Sequence, residues 1–517
     1  MSTFDATPKT YKFELVKRLT RQFGKDTRGN VALVFGLLAI PLFVGAGMAI
    51  DISRHGYHQR QLASAVDAAA LAAARMDDGA SQAEMLAVAQ RYLDLNYTER
   101  EDLRGNQINL SISLADNVVT VNADVDVPTT ITTLIGVYNM PAQVTSEVTK
   151  GVLGTEIALV LDNTGSMGNN GKIDGLRSAS DTLLDVMFAK ATSTNKLKIA
   201  VVPFSAAVNV GPDKSTESWL DTTGLSSVSK LNFSDPGWHN WRAYQEMDNE
   251  TWNGCVEARA MPYDIQDDVP TVGTPDTLFA PYFAPDEPDT TYTYKNNYLD
   301  DGVGGNDLDA RQRNVTKYVN ASPNNNNLGP DYNCGISPLT PLTNDETVLR
   351  NAVDAMVATG YTNITQGIVW GWNVLSPTAP FEDGVEYDNA SWKKYMVVMT
   401  DGDNDWGDYN SHNGTRYTGY GHIVQDRLNE TNPNNSDDVL DARTGAACTN
   451  VKNATGDPNT AITVYTITFG NPGQATRDMM EACATDAAKY FHAPNSAALT
   501  AVFEKIADDI GSIRLSK

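Results

Sequence analysis

The chain has 517 residues, enough for two or three domains with separate cores, and its 41% hydrophobic and 20% charged residues are ordinary for globular protein. Its formal net charge of −25 repels nucleic-acid phosphates and argues against DNA or RNA as a partner. The first 30 residues run against that balance, with seven Lys/Arg and three Asp/Glu.

Residues 1–30 form a basic leader containing Lys9, Lys12, Lys17, Arg18, Arg21, Lys25 and Arg28. Residues 31–50, from Val31 to Ile50, carry no charge. As a helix rising about 1.5 Å per residue, this run spans about 30 Å, the thickness of one bilayer core. With the basic leader before it and Asp51 directly after, the positive-inside rule predicts a cytoplasmic N-terminus and an extracytoplasmic remainder. Pro41 is tolerated in such a helix. A cleaved signal peptide is the competing reading, since Gly47-Met48-Ala49 loosely fits a small-x-small cleavage site. The length of the apolar run and of the leader favours a retained, single-pass anchor.

Residues 51–152 then read as a small α+β region. Leu62, Val66, Ala69, Ala70 and Ala73 recur at helical spacing, Asp77-Asp78-Gly79 predicts a break, and Met85 to Tyr97 resumes the helix. The period changes at Ile108, Leu110, Ile112 and Leu114, which alternate with polar residues. After a turn at Ala115-Asp116-Asn117, Val119, Val121, Ala123, Val125 and Val127 alternate again, predicting a hairpin with one buried face. A long helix leading into a small sheet is a pilin-like arrangement.

Residues 153–517 switch to an α/β pattern. Ile157–Leu161, Leu197–Phe204, Lys394–Met399 and Ala461–Phe469 are continuous apolar runs, as parallel strands covered on both faces require. Helical segments lie at Ile173–Phe188, Asp345–Ala358, Thr365–Leu375 and Ser496–Ile510, so the expected fold is a doubly wound, Rossmann-like sheet. Two loop-rich insertions interrupt it, at about 209–343 and 403–437. Trp238, Trp241, Tyr282 and Phe283 argue that the first is packed rather than disordered. The four cysteines form no CxxC pair. An even count in an exported domain implies disulfides, here Cys255–Cys334 bracketing the first insertion and Cys448–Cys483 flanking the last long strand, with four buried thiols as the alternative.

Three segments fall at the carboxyl ends of strands, where open α/β sheets bind ligands. They are Asp162-Asn163-Thr164-Gly165-Ser166 after the first strand, Thr362 before a helix, and Asp401 in a Thr-Asp-Gly turn after a strand. Two carboxylates and three hydroxyls are hard oxygen donors suited to Mg²⁺, or to Mn²⁺ or Ca²⁺. So few carboxylates leave a bound ion with positive charge and an open position for a partner's carboxylate. Helix capping by Asp162 and Thr362 is the simpler alternative. The phosphate-loop and nucleophile-elbow patterns fail on spacing at Gly165–Ile173 and on Thr164 in place of Gly. An EF-hand reading of Asp401, Asp403 and Asp405 fails at Trp406 and His412, leaving a second Ca²⁺ site in 403–408 as an open alternative. No general base stands near beyond the ligands themselves, so an enzyme is not expected.

The Asp-x-Thr-x-Ser, Thr and Thr-Asp-Gly segments, in that order, resemble the metal-ion-dependent adhesion site of the von Willebrand factor A (VWA) family. The resemblance maps Asp162, Thr164, Ser166, Thr362 and Asp401 onto the five metal-site positions, with Thr164 replacing a Ser, and implies one divalent cation. Arg28-Gly29-Asn30-Val31-Ala32, the apolar run, Ala49-Ile50-Asp51-Ile52-Ser53-Arg54 and Gln61–Ala74 are similar to the start of TadG-type Flp/Tad pilus-assembly proteins. So are the words Gly254-Cys255-Val256-Glu257 and Trp370-Gly371-Trp372. That resemblance implies a non-enzymatic pilus-assembly component of the bacterial inner membrane, with its main domain in the periplasm and its metal site binding a pilus-assembly or pilin-like partner. A metal-dependent adhesin released from or carried on the pilus is the alternative. Val34 stands where a type IV prepilin has Glu, so prepilin-type processing is not expected.

Overall fold

A computed structural model of the chain describes residues 30–76, 80–98, 100–115, 118–149, 154–191, 196–290, 294–323, 328–389, 391–457 and 461–513. The basic leader up to residue 29, the Asp77-Asp78-Gly79 break and the tip of the first hairpin lie outside the described residues. The chain divides into two compact units, residues 1–151 and 152–516.

The N-terminal unit is built on one helix, α1 (Asn30–Ala74). Its two halves have opposite surroundings. In the apolar half Leu33, Phe35, Leu37, Ile40, Leu42 and Phe43 are exposed, and an 18-residue window there is only 6% buried. In the second half Leu62, Ala65, Val66, Ala69, Ala70 and Ala73 are fully buried. They pack on α2 (Gln82–Asn96) and on an antiparallel sheet of β1 (Asn109–Ala115), β2 (Val118–Pro128) and β3 (Asn139–Thr149). Ser81 caps α2 with a capping box, its hydroxyl accepting from Glu84 N while Glu84 returns to Ser81 N. In β2, Val119, Val121, Ala123, Val125 and Val127 point inward, as period-two alternation dictates. The sequence reading ended at the hairpin and missed β3, where Ala142 and Ser146 alone are buried and the apolar alternation is weak.

Where the apolar half ends, α1 is tied to the β2–β3 loop. The Asp51 carboxylate accepts from the backbone N–H groups of Thr130, Ile131 and Thr132 and from the Thr132 hydroxyl, at 2.8–3.0 Å. Burial works to raise its pKa, but these donors outweigh burial and hold it at about 2. Gly47 makes the approach possible, because a Cβ there would stand 2.1 Å from Ile131 Cγ2.

The C-terminal unit contains a six-stranded mixed sheet. Its strands are β4 (Gly154–Asp162), β5 (Leu197–Phe204), β8 (Thr340–Thr343), β9 (Trp392–Thr400), β10 (Thr463–Phe469) and β11 (Tyr490–Ala493), ordered β11-β10-β9-β4-β5-β8. All neighbours are parallel except β5 and β8. Successive residues of the buried strands serve two cores. Ala158, Val160, Val202, Phe204, Met396 and Val398 face a layer containing α7 (Ile364–Leu375), α8 (Ser436–Lys452) and α9 (Gln474–Cys483). Ile157, Leu159, Leu161, Val201, Val397 and Ile467 face α3 (Lys172–Lys190), α6 (Glu346–Asp354) and α10 (Ser496–Ile513). Helix α7 lies almost on the strands. A Cβ at Gly371 would come within 2.4 Å of Val160 Cγ2, and one at Gly367 within 2.6 Å of Phe204 Cδ1.

One boundary read from the sequence shifts in the structure. The first insertion does not stop outside the sheet, because its last residues, Thr340–Thr343, form the antiparallel edge strand β8. The two insertions also pack on each other. Tyr282 and Tyr417 meet edge to face at 5.2 Å, Ala258 N donates to Gly419 O, and Glu257 pairs with Arg427 at 2.7 Å. The first insertion also contains β6 (Val208–Asn209), β7 (Cys255–Val256) and the short helices α4 (Asn240–Glu246) and α5 (Leu308–Gln312). Its core is aromatic, with Trp219, Phe233, Phe279, Phe283 and Tyr318 buried, and it docks on the sheet layer where Phe279 packs 4.6 Å from Trp370.

The structure joins Cys255 to Cys334 and Cys448 to Cys483. The first bridge closes a loop of 79 residues, so in the chain-entropy account its loss costs about 4–5 kcal/mol, less any strain it relieves. Replacing both Cys255 and Cys334 by Ser should therefore lower the urea-unfolding free energy of the C-terminal unit by at least about 2 kcal/mol. An unchanged unfolding midpoint would contradict this.

Candidate functional site

The strand order places a switch point beside β4. From β4 the chain moves outward through β5 to β8, then returns to add β9, β10 and β11 on the other side. The loops leaving the carboxyl ends of β4 and β9 therefore diverge and open a crevice between them. Asp162 ends β4, and Asp401 follows β9 directly.

In this crevice the polar side chains interlock. Asp162 Oδ1 accepts from Thr164 N at 2.8 Å, and Oδ2 accepts from the Thr400 hydroxyl at 2.7 Å and from Asp401 N at 3.3 Å. The Thr164 and Ser166 hydroxyls stand 2.9 Å apart. Ser166 Oγ donates to Asp401 Oδ1 at 2.5 Å, and Lys172 Nζ donates to Asp401 Oδ2 at 2.6 Å. Asp162, Thr164 and Asp401 are all buried.

Thr362 joins the group by its backbone. It pairs with Asp405 through Thr362 N to Asp405 O (3.2 Å) and Asp405 N to Thr362 O (2.9 Å). Its loop is stitched to the others by Thr359 N to Asn163 O, Gly165 N to Gly360 O and Asn363 N to Ser205 O. The structure thus draws four of the five expected residues into one hydrogen-bonded cluster and sets the fifth on the adjoining loop. Capping accounts for little of this. Asn363, not Thr362, caps α7, its side chain accepting from Gln366 N. Asp162 does serve as a turn residue towards Thr164, but its second oxygen is turned to Thr400 and Asp401.

Burial, and secondarily the charge of Asp401, push the Asp162 carboxyl up to about 6. Two carboxylates this close and this dry call for a cation, and Lys172 supplies one positive charge. Lys172 and Thr400 are the site residues that the sequence reading did not assign. Thr400 is visible in hindsight as the Thr of Thr-Asp-Gly. Lys172 carries no local signal, because its partner lies 229 positions away.

The oxygen-rich donor set fits a hard divalent ion. Among the described residues no three His, Cys, Asp or Glu side chains gather as a metal-ligating group, and the crevice itself holds two carboxylates with hydroxyls around them. The stretch 403–408 is committed to other contacts. Asp403 accepts from Gly473 N and the Thr476 hydroxyl, Asp405 from Gly407 N, and Asp408 from the Ser436 hydroxyl. These carboxylates are engaged by protein donors, as those of Asp162 and Asp401 are.

Residues 29–76 match the model of putative Flp pilus-assembly TadE/G-like proteins, which takes in the apolar and Ala-rich halves of α1. No curated protein matches the chain. Among solved structures, the pilus adhesin SpaC from Lactobacillus rhamnosus GG has 12% identity and a TM-score of 0.32, covering 78% of this chain and 34% of its own. The chain thus spans about a third of that relative's length. The vWF domain of the type V pili tip protein Mfa5 from Porphyromonas gingivalis has 12% identity and a TM-score of 0.32, covering 70% of this chain and 96% of its own. The PilB minor pilin from Streptococcus sanguinis has 12% identity and a TM-score of 0.30, covering 78% of each chain. Likeness at this level is too slight to define the fold.

The raised Asp162 pKa gives a pH dependence. A carboxyl whose folded pKa lies above its ordinary value of 3.8 binds its proton more tightly in the folded chain, so folding gains stability as pH falls through about 6. In chelator, the stability of the C-terminal unit relative to its Asp162→Asn variant should rise between pH 7 and pH 4, by on the order of 2 kcal/mol. Urea unfolding across that range checks it, and a constant difference between the two proteins would rule it out.

Proposed function

We propose that this chain is a non-enzymatic, membrane-anchored component of a Flp/Tad-type pilus assembly system. Its C-terminal unit is a doubly wound VWA domain whose metal-ion-dependent adhesion site holds one divalent cation, Mg²⁺ first among them. The observation that carries the reading is the meeting of Asp162, Thr164, Ser166 and Asp401 in one oxygen-lined cluster, buried but for the half-buried Ser166, at the switch point between β4 and β9. Helices on both faces of a largely parallel sheet support the fold assignment. The match over residues 29–76 supports the pilus connection.

In this reading Asp162 and Asp401 supply the charge that holds the ion, and the hydroxyls of Thr164, Ser166 and Thr362 complete an oxygen shell. The bound ion would keep an open position and attract a carboxylate from a pilus-assembly or pilin-like protein. Thr400 and the Thr164 N–H orient Asp162, so the pocket is shaped before the ion arrives. Lys172 neutralises Asp401 in the metal-free chain. The apolar half of α1, exposed and long enough to cross a bilayer, anchors the chain in the inner membrane, with the leader cytoplasmic and both units periplasmic.

Two measurements check this reading. Asp162→Ala and Asp401→Ala should each abolish Mg²⁺ and Mn²⁺ binding in calorimetry while the disulfide-bonded fold persists by circular dichroism, and unchanged affinity in both variants would refute the site. A periplasmic reporter fused after residue 150 should be active and one fused before Val31 inactive. Recovery of soluble periplasmic chain lacking residues 1–49 would point to signal cleavage instead.

A further inference from the structure

The β2–β3 loop of the N-terminal unit has a composition and a position that nothing above explains. From Val127 to Met140 it has no charged residue, in a chain whose overall charged content is 20%. At its tip Leu134 is 82% exposed and Tyr138 66%, and Ile135 and Val137 are also exposed. A tip of this kind, left in water, would be an unpaid apolar patch.

Three contacts set its level on α1. Asp51 binds the N–H groups of Thr130, Ile131 and Thr132, Gly47 admits Ile131, and Arg54 Nη1 donates to the Thr130 hydroxyl at 2.7 Å. Gly47 to Asp51 is where the apolar run ends. The loop tip is therefore held beside the end of the segment that would span the bilayer.

Part of the tip's backbone is paired within the loop. Leu134 N donates to Ile131 O, Gly136 N to Thr133 O, Val137 N to Thr132 O and Thr129 N to Tyr138 O, all at 3.0–3.1 Å. The Thr129 hydroxyl closes on Val137 O. Such pairing suits lipid contact, where no water replaces a missing partner of an N–H or C=O. Arg54 and Arg104 both reach Thr130 at the base of the loop, just past the end of the apolar run. Tyr138 has the amphipathic ring that favours the interface.

We propose that the β2–β3 loop inserts Leu134, Ile135, Val137 and Tyr138 into the extracytoplasmic leaflet of the bilayer that α1 crosses, with Arg54 and Arg104 facing phospholipid headgroups. The loop is a second, interfacial foothold beside the anchor, and the Asp51 latch makes the two one rigid unit. A helix with one spanning segment can tilt and rotate freely, whereas a helix with a loop fixed to it at the surface cannot. The inference rests on the anchor reading of α1, and its test separates the two.

The test uses the full chain in vesicles of phosphatidylethanolamine and phosphatidylglycerol, with a single cysteine carrying an environment-sensitive NBD dye at Leu134→Cys, and separately at Val137→Cys. Leu42→Cys is the membrane control. Arg75→Cys is the water control, roughly 36 Å beyond Asp51 along the helix. Dye at 134 and 137 should emit to the blue of dye at 75, lose emission to shallow spin-labelled lipids, and be protected from aqueous iodide. Water-like emission at both positions, while dye at 42 is quenched by deeply spin-labelled lipids, overturns the loop proposal and leaves the anchor standing. Unquenched dye at 42 overturns the anchor reading and the loop proposal with it. Protection from iodide without quenching by lipid labels would show a second copy or another protein covering the tip, and would also overturn the proposal.

Discussion

The C-terminal unit depends on the burial of β4 and β9 on both faces. Every residue of β4 is buried, and β9 is buried from Lys394 to Thr400. A strand in that position cannot end in water, so its last carboxylate, Asp162, is withdrawn from solvent and must find donors. It finds them in Thr164, Thr400 and the backbone of Asp401, the first residue beyond β9. Two acidic groups are thereby brought together by the sheet rather than by any local sequence preference. Burial and the neighbouring Asp401 charge raise the Asp162 pKa, and the Lys172 ammonium stands against Asp401.

The insertions serve the same constraint. The sheet layer beneath them is apolar, and α7 lies so close to β4 and β5 that only glycine fits at positions 367 and 371. Trp370, on the same helix, is fully buried and needs a cover. Phe279, Trp219 and Phe381 provide it, with ring centroids 4.6–6.4 Å from one another or from Trp370. The Cys255–Cys334 bridge ties the two sides of this long segment together. The second insertion packs on the first through Tyr417 and Arg427. These stretches are poor in regular secondary structure yet carry a core of their own.

The legible and illegible parts of the sequence divide along physical lines. Ile157–Leu161, Leu197–Phe204, Lys394–Met399 and Ala461–Phe469 are readable because a strand buried on both faces must be apolar at successive positions. Asp162, Ser166 and Asp401 are readable because oxygen donors placed directly after such strands have few structural reasons to be there. The edge strands escape notice. In β8 only Leu342 is buried, and in β11 only Ala493, so neither leaves an alternating or continuous pattern. The joining of the insertions is equally silent, since aromatic packing between distant loops has no period. Lys172 is hidden for a related reason, because only the folded sheet brings it to Asp401.

The N-terminal unit shows the same economy in one helix, apolar and exposed before Asp51 and packed on its own sheet after it. The match to TadE/G-like proteins falls on both parts of that helix. The account as a whole turns on whether the crevice beside β4 holds a metal ion. Anomalous diffraction from crystals of residues 152–516 grown with Mn²⁺ tests this most directly. The account predicts a Mn²⁺ peak between Asp162 and Asp401, with Ser166 Oγ turned to the ion and the Lys172 ammonium displaced from Asp401. No peak there, with Lys172 still paired to Asp401 at millimolar Mn²⁺, would contradict it.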